Sequence, residues 1–279
     1  MAGSNQIDTR FITGAVLVLL GALAWSTAGL FTRVVTTDIP TTLFWRSFFG
    51  GWCVLGYYLA FRNDKSDQCH RFSQGEIVIA CRSTAGMICF ISSFFFTTIA
   101  NVSFAYGTMP LVTHAMALVA LKARSSALKL FCCLLSAIGM LLMTYGNSSL
   151  DDYFGIALAF GMTVFMAALT IATKFFPSAN TTKATYLSAF LGALIMLPLS
   201  SFDTMTPLNI FWLFLYGLVN VGLGFGVYLA GVSRVPALAA ALIGLAEIPL
   251  APIWALLLFD ETVNMLVLMG GVIILTAAI

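Results

Sequence analysis

Ionisable side chains stand inside long apolar runs of this sequence, and three of them are the first candidates for chemistry. Glu247 is the one acidic residue well inside such a run, and His114 is the one histidine. Arg46 lies about two helical turns from the end of another run. A charge in an apolar environment is costly unless it is paired, hydrated or neutralised. Each of these residues therefore indicates either a functional site or a structural partner.

Each polar candidate admits more than one role. Glu247 fits a proton-coupling or amine-binding site, or a structural hydrogen bond between two helices. Arg46 fits an arginine that extends to the outer surface, a structural ion pair, or a site for a substrate carboxylate. His114 fits a proton relay, since free imidazole titrates near pH ~6.5, or a neutral ring bonded to a helix carbonyl. Asn220 fits a hydrogen bond that ties helices together or a substrate contact.

Aromatic side chains form the second group of candidates, because several stand where they can face a central cavity. A largely apolar cavity with few polar groups suits an apolar or aromatic small molecule. The same side chains fit contacts with lipid or with neighbouring helices equally well. The members of this group are Trp25, Phe90, Phe94, Tyr106, Phe165 and Tyr228.

Prolines and glycines are expected to shape the elements that carry these side chains. A proline removes a backbone donor and can bend a helix. We expect this of Pro110, Pro249 and Pro252. Gly222 and Gly226 are four residues apart, a spacing that predicts close approach of a neighbouring helix.

The composition places these residues in a membrane protein. Of the 279 residues, 60% are hydrophobic and 9% are charged, and the mean hydropathy is +0.99. Soluble domains are about 45–50% apolar and about 25% charged. The apolar segments are continuous rather than alternating, which disfavours a β-barrel. The net charge of +2 gives no indication of a nucleic-acid partner.

Motifs of catalysis and cofactor binding do not occur in this sequence. It contains no phosphate-binding loop, no G-x-S-x-G, no H-E-x-x-H and no pair of acids inside apolar runs. We therefore expect no enzymatic activity, no metal and no cofactor. The alternative class is a membrane-embedded enzyme or a membrane subunit that does not transport.

The chain contains ten apolar segments between polar breaks, and a membrane-spanning helix needs about 20 residues. The predicted fold is therefore an all-α integral membrane protein with ten transmembrane helices in contact with lipid. The predicted spans are Phe11–Val34, Pro40–Phe61, Glu76–Ile99, Ser103–Leu121, Ser126–Tyr145, Phe154–Phe175, Thr182–Ser201, Leu208–Val232, Pro236–Phe259 and Asn264–Ile279.

The distribution of basic residues predicts the orientation of these spans. With the N-terminus on the cytoplasmic side, ten of the 13 Lys and Arg residues fall in cytoplasmic segments, one falls outside and two lie within spans. This excess follows the positive-inside rule. Both termini are therefore predicted to be cytoplasmic, in a multi-pass protein of the inner (plasma) membrane.

An internal repeat divides the chain into residues 1–146 and 147–279. Met-Pro-Leu at 109–111 recurs as Ile-Pro-Leu at 248–250, 139 residues later. Because each half carries five spans, an odd number, similar halves must lie in the membrane in opposite orientations. Inverted repeats with a binding site at their interface are typical of secondary transporters, which work by rocking one bundle against the other.

The stretch 244–261, GLAEIPLAPIWALLLFDE, resembles the ninth-span signature of EamA-type transporters in the drug/metabolite transporter superfamily. Further matches are Trp25-Ser26, Arg46, the stretch 82–86 and Pro110. The chain departs from the family at 121–124, LKAR, where a Gly-Glu-Arg-like turn is common, and at Asp260, where glycine is usual.

The resemblance implies a ten-helix inner-membrane carrier with two inverted five-helix repeats. Family substrates are small metabolites, including amino acids and related compounds, and drugs, and many members are exporters. We therefore expect a secondary transporter of small metabolites that works by alternating access, most simply as an exporter. Proton coupling and facilitated diffusion both remain open, as do a monomer and a homodimer.

Overall fold

The computed structural model describes residues 2–61, 71–96, 102, 105–144, 153–202, 205–250, 254, 257 and 265–278. All regular secondary structure within these ranges is helical. The helices are α1 (Ala2–Ser26), α2 (Ala28–Val34), α3 (Ile39–Phe61), α4 (Gln74–Phe96), α5 (Met109–Ala120), α6 (Ala127–Thr144), α7 (Tyr153–Phe175), α8 (Thr181–Met196), α9 (Pro207–Tyr216), α10 (Gly226–Val232), α11 (Ala237–Gly244) and α12 (Met265–Ala278). A 3₁₀ turn (Leu197–Leu199) follows α8, and a π-helical segment (Gly217–Phe225) joins α9 to α10.

Several of these elements are long and apolar enough to cross a membrane. Among the described residues, five helical stretches meet that condition, and shorter apolar helices accompany them. Their exposed surfaces carry large apolar side chains, which suits contact with lipid. The all-helical membrane class is therefore confirmed, whereas the count of ten spans and the side of the termini stay predictions. The five stretches are Thr9–Ser26, Gln74–Ser93, Tyr153–Phe175, Thr181–Leu199 and Pro207–Val232.

The helices of the two halves pack against each other in matched pairs. α4 packs along α7, and α1 packs along α10; α4 also packs on α8, as α3 does on the π segment. α5 contacts α7, as α1 contacts α11. If the halves are exchanged, the α4–α7 pairing becomes the α1–α10 pairing. In the same way, α4–α8 becomes α3 with the π segment, and α5–α7 becomes α1–α11. This is the pattern that a pseudo-two-fold relation between two similar halves produces.

Three of the predicted spans are interrupted. The first breaks at Thr27, between α1 and α2. In the fourth, residues 105–107 are helical, Thr108 is a turn, and α5 then begins. In the ninth, α11 ends at Gly244, residues 245–246 form a turn, and residues 247–250 are helical again. The second and third breaks stand just before the two matching proline triplets, so the break is part of the internal repeat.

Close backbone approach fixes α3 against the π segment. A Cβ added at Gly217 would lie 2.6 Å from the Arg46 carbonyl oxygen and 2.8 Å from the Gly50 nitrogen. Only glycine allows that approach. The predicted pair behaves differently: a Cβ at Gly222 would be no closer than 3.6 Å to its nearest neighbour, and one at Gly226 would meet no described atom within 4 Å. Close helix packing at Gly222 and Gly226 was therefore a wrong prediction.

Candidate functional site

The carboxylate of Glu247 lies close enough to the Tyr106 hydroxyl for an electrostatic interaction. Each residue adjoins one of the two equivalent helix breaks, since Tyr106 precedes the turn at Thr108 and Glu247 follows the turn at 245–246. Tyr106 is 4% exposed and Glu247 is half-buried. Interrupted helices leave backbone groups and side chains free to face a cavity, which is how many carriers build their sites. The internal repeat therefore brings one acid and one phenol together from the two halves.

A group of aromatic rings adjoins Glu247 through Tyr228. The Trp25 ring lies 4.6 Å from the ring of Tyr228 and 5.1 Å from that of Phe225, measured between centroids. Tyr228 is fully buried, close enough to Glu247 for an electrostatic interaction. Its hydroxyl has no hydrogen-bond partner within the described part of the chain. A buried, unpaired phenol next to a carboxylate is a polar group able to bind a ligand.

Asn220 connects the aromatic group to Arg46. Its backbone carbonyl accepts a hydrogen bond from Trp25 Nε1 at 3.0 Å. Its side-chain Nδ2 donates to the Ala24 carbonyl at 3.3 Å, and its Oδ1 accepts from Arg46 Nη1 at 2.9 Å. The amide thus joins α1, α3 and the π segment, and both ends of its side chain are used within the protein.

Arg46 is buried rather than extended to the surface. Its side chain is 2% exposed, and its guanidinium carbon lies 5.1 Å from the centroid of the Tyr216 ring. The surface-reaching interpretation is therefore wrong, because the Asn220 amide and the Tyr216 ring hold the guanidinium inside the bundle. Its Nε and Nη2 atoms are buried with no hydrogen-bond partner among the described residues.

Arg46 is one of the residues that line a cavity of about 30 Å³. α3 and α4 of the first half line it, together with α8 and the π segment of the second. Its lining contains four hydroxyl side chains and no acid among the described residues. The lining residues are Leu43, Arg46, Ser47, Ser83, Thr84, Met87, Ile88, Ser188, Ala189, Gly192, Met196, Val221 and Phe225.

A second cavity, of about 590 Å³, opens at the end of the bundle that holds the start of α1 and the turn between α5 and α6. Its described lining includes five Lys or Arg residues and no Asp or Glu. His114 also lines it, with Nε2 3.0 Å from Ser125 Oγ rather than on a helix carbonyl. We call this space the basic vestibule, and its basic residues are Arg10, Arg124, Lys129, Lys174 and Arg234.

The remaining aromatic candidates are Phe90, Phe165 and Phe94. Phe90 packs against the main apolar core, which also contains Tyr106 and Tyr228. Phe165 faces α4, with its Cβ 3.3 Å from where a Cβ on Gly86 would stand. The side chain of Phe94 lies outside the part of the chain that the structure describes.

The prolines take positions that differ from one another. Pro110 is buried in the first turn of α5, where its missing donor costs no helical hydrogen bond. Pro249 is buried and packs on α12, since a Cβ on Gly271 would lie 2.8 Å from its Cβ. Pro252 lies outside the described residues.

Sequence reasoning missed two parts of this region. Trp254 Nε1 donates to Ser26 Oγ at 2.8 Å, which links the ninth span to the first. Both residues stand in the stretches quoted for the family resemblance, so a signal was present. Tyr216, which covers Arg46 and stacks on Phe31 at 4.9 Å, carried no comparable signal.

This arrangement can bind and orient a small molecule and can hold or release a proton at Glu247. Within the described residues, no three His, Cys, Asp or Glu side chains are grouped to hold a metal ion. An all-helical membrane chain in two matched halves, with its polar groups buried between them, has the architecture of a carrier.

The chain belongs to the EamA-like transporter family of the drug/metabolite transporter superfamily, because the family model matches residues 12–145 and 153–279. No curated protein matched the chain. Among solved structures, 29 chains matched it. One, described as "Crystal structure of protein", has a TM-score of 0.81 and 16% sequence identity, over 95% of this chain and 94% of that chain. That likeness supports the fold and says nothing about a substrate.

Proposed function

We propose that this protein is a secondary transporter that moves small metabolites, amino acids or related compounds, across the inner membrane by alternating access. The observation that carries the proposal is the proximity of Glu247 and Tyr106, which adjoin the two equivalent breaks of the repeat. A buried ionisable group at the contact of two halves can respond to substrate or protons on either side.

The packing of the helices supports a rocking mechanism. Its inter-half pairings come in counterparts, such as α4 with α7 and α1 with α10. In a ten-span protein with inverted halves, an inward-open and an outward-open arrangement are related by exchanging these counterparts. The two states then have similar packing energies, which is what a carrier that cycles between them requires.

The basic vestibule favours export. It lies at the end of the bundle that the positive-inside rule assigns to the cytoplasm. A cavity lined by one sign of charge raises the local concentration of oppositely charged solutes. Metabolites that carry a carboxylate would therefore be gathered on the cytoplasmic side, before the aromatic group around Trp25 and Tyr228.

The test of the function is counterflow in proteoliposomes that contain the full chain. Labelled amino acids and related metabolites are offered outside, with and without the same unlabelled compound inside, and with and without a pH gradient. Saturable uptake that depends on internal substrate is the expected result. No counterflow across amino acids, cationic drugs and nucleoside-like metabolites would contradict the proposal.

Substitution of Glu247 tests the site. Glu247→Gln keeps the size and a hydrogen-bond acceptor but removes the ionisable group. We expect pH-driven accumulation to be lost, because glutamine cannot bind and release the coupled proton. Transport is measured in proteoliposomes at equal protein content, after a check of normal expression.

Glu76→Gln is the matched control. The Glu76 carboxylate accepts hydrogen bonds from the backbone nitrogens of Ser73 and Asn180 at the start of α4. Its loss should lower thermal stability and leave the substrate preference unchanged. Unaltered kinetics in Glu247→Gln would exclude a direct role for this carboxylate.

A further inference from the structure

We infer that the cavity beside Arg46 is a carboxylate-binding subsite, which takes the carboxylate of the transported metabolite between the two halves of the protein. The inference rests on the proposed transport function and adds the chemical class of the substrate. It depends on the donors that line the cavity, the unneutralised charge and the size and position of the space.

The free edge of Arg46 has the geometry of a carboxylate receptor. Nη1 is occupied by Asn220 Oδ1 at 2.9 Å, whereas Nε and Nη2 are buried without a partner among the described residues. These two nitrogens form one side of the planar guanidinium. Two parallel N–H donors on that side match the two oxygens of a carboxylate.

The charge of Arg46 lacks a counter-ion within the described structure. Its partners there are an amide oxygen and the Tyr216 side chain, and no acid lines the cavity. A buried guanidinium stays protonated, and a buried charge is costly unless it is paired. An anion that enters the cavity would therefore remove a cost already present in the empty protein.

Two hydroxyl groups supply further donors. Ser47 and Ser83 are buried in the cavity lining. The Thr84 hydroxyl, by contrast, already donates to the carbonyls of Ala80 and Ser188. The available set is therefore one guanidinium edge and two serine hydroxyls, which is a hydrogen-bonding complement for a carboxylate.

The size of the cavity limits what it can hold. About 30 Å³ exceeds the ~10–15 Å³ needed for one water molecule and accommodates a small head group, not a whole metabolite. Phe225 lines the cavity and also contacts Trp25, so the body of a ligand would extend toward the aromatic group. The predicted substrate is a small carboxylic acid with an apolar or aromatic body.

The position of the cavity connects binding to movement. Arg46, Ser47 and Ser83 come from α3 and α4, whereas α8 and the π segment supply the opposite wall. A bound carboxylate would neutralise a charge at the boundary along which the halves must rock. When the cavity opens to either side of the membrane, the Arg46 charge and its bound carboxylate would be exposed to water.

Two matched series of compounds test the inference on the purified full chain. The first is phenylalanine, phenylalaninamide and phenethylamine, and the second is leucine, leucinamide and isoamylamine. Binding is measured as thermal stabilisation and as inhibition of counterflow, at low and at high chloride concentration. We expect the acid to bind at least tenfold more tightly than its amide in one or both series.

Variants assign that preference to the subsite. In Arg46→Gln the acid-to-amide ratio should fall to about one. If that variant does not fold, Arg46→Lys retains the charge without the fork, and Ser83→Ala removes one donor; both should lower the ratio at least threefold. Arg82→Gln is the control, because Arg82 donates to the Ala168 carbonyl outside the cavity, and its ratio should match the wild type.

The outcomes separate failure of the subsite from failure of the function. If amides or amines show counterflow as efficient as that of the acids, the subsite is overturned but the proposed transport function is not. Absence of counterflow in the wide panel would overturn both. An acid preference that persists in all Arg46 and Ser83 variants, or equal protection by chloride alone, would also overturn the subsite.

Discussion

At the scale of single residues, Asn220 organises the region between the halves. Its Oδ1 accepts a hydrogen bond from Arg46 Nη1, and its Nδ2 donates one to the Ala24 carbonyl. Its backbone oxygen accepts a hydrogen bond from Trp25 Nε1. Because both ends of the amide are used, Asn220 acts as a positioning residue more readily than as a substrate contact. It holds the guanidinium by Nη1, while Nε and Nη2 are buried without a partner among the described residues.

Lys122 provides a prediction about stability. Its φ of 50° places a lysine in the left-handed region at the end of α5, which costs an L-residue about 1–2 kcal/mol. Glycine has no such cost but loses more entropy on folding. Lys122→Gly should therefore raise the free energy of unfolding by about 0.5–1 kcal/mol. Thermal unfolding in detergent measures the change, and Lys122→Ala, which keeps the strain, should give no gain.

The sequence could identify individual polar residues inside apolar segments but not the residues that surround them in the fold. Charges within apolar runs are visible in a sequence, so Glu247 and Arg46 could be selected. Their surroundings could not be read, because Tyr106 lies 141 positions before Glu247 and Asn220 lies 174 positions after Arg46. Whether an arginine reaches the surface or stays inside depends on such distant partners. The surface-reaching interpretation of Arg46 was wrong for that reason.

At the scale of elements, the interruptions of helices explain where the polar groups meet. The sequence indicated the matching proline triplets, yet Pro110 lies in the first turn of α5 and the break itself is at Thr108. The π segment carried no sequence signal of its own. A wider helical turn changes which residues share a face. The four-residue spacing of Gly222 and Gly226 therefore indicated a close contact that forms at Gly217 instead.

A pair of substitutions in and beside the π segment tests this packing. Gly217→Ala would place a methyl group 2.6 Å from the Arg46 carbonyl oxygen, so α3 must move away. Such overpacking costs about 1–3 kcal/mol, and the shift should also weaken binding of carboxylic acids. Gly226→Ala meets no described atom within 4 Å and gains helix propensity of up to ~1 kcal/mol. The temperature of thermal unfolding in detergent should fall for Gly217→Ala and rise for Gly226→Ala. Equal shifts in the two variants would contradict the proposed contact.

At the scale of the whole molecule, the arrangement places two different environments along one axis of the bundle. The basic vestibule lies at one end, and the buried Arg46 cavity lies between the halves. The composition and the distribution of charge predicted a membrane protein with a basic side. They could not predict that the basic residues enclose a cavity, because that depends on how α1, α5 and α11 come together.

The orientation of the chain is the prediction on which the direction of transport depends. Asp38 and Ser126 are both exposed, Asp38 on the side predicted to face outward and Ser126 beside the basic vestibule. In a variant whose six native cysteines are replaced, Asp38→Cys should react with a membrane-impermeant thiol reagent in intact cells. Ser126→Cys should react only after permeabilisation, since an excess of Lys and Arg marks the cytoplasmic side. The reverse pattern would place the vestibule outside. The same electrostatic attraction would then favour uptake rather than export, while the carboxylate preference at Arg46 would be unaffected.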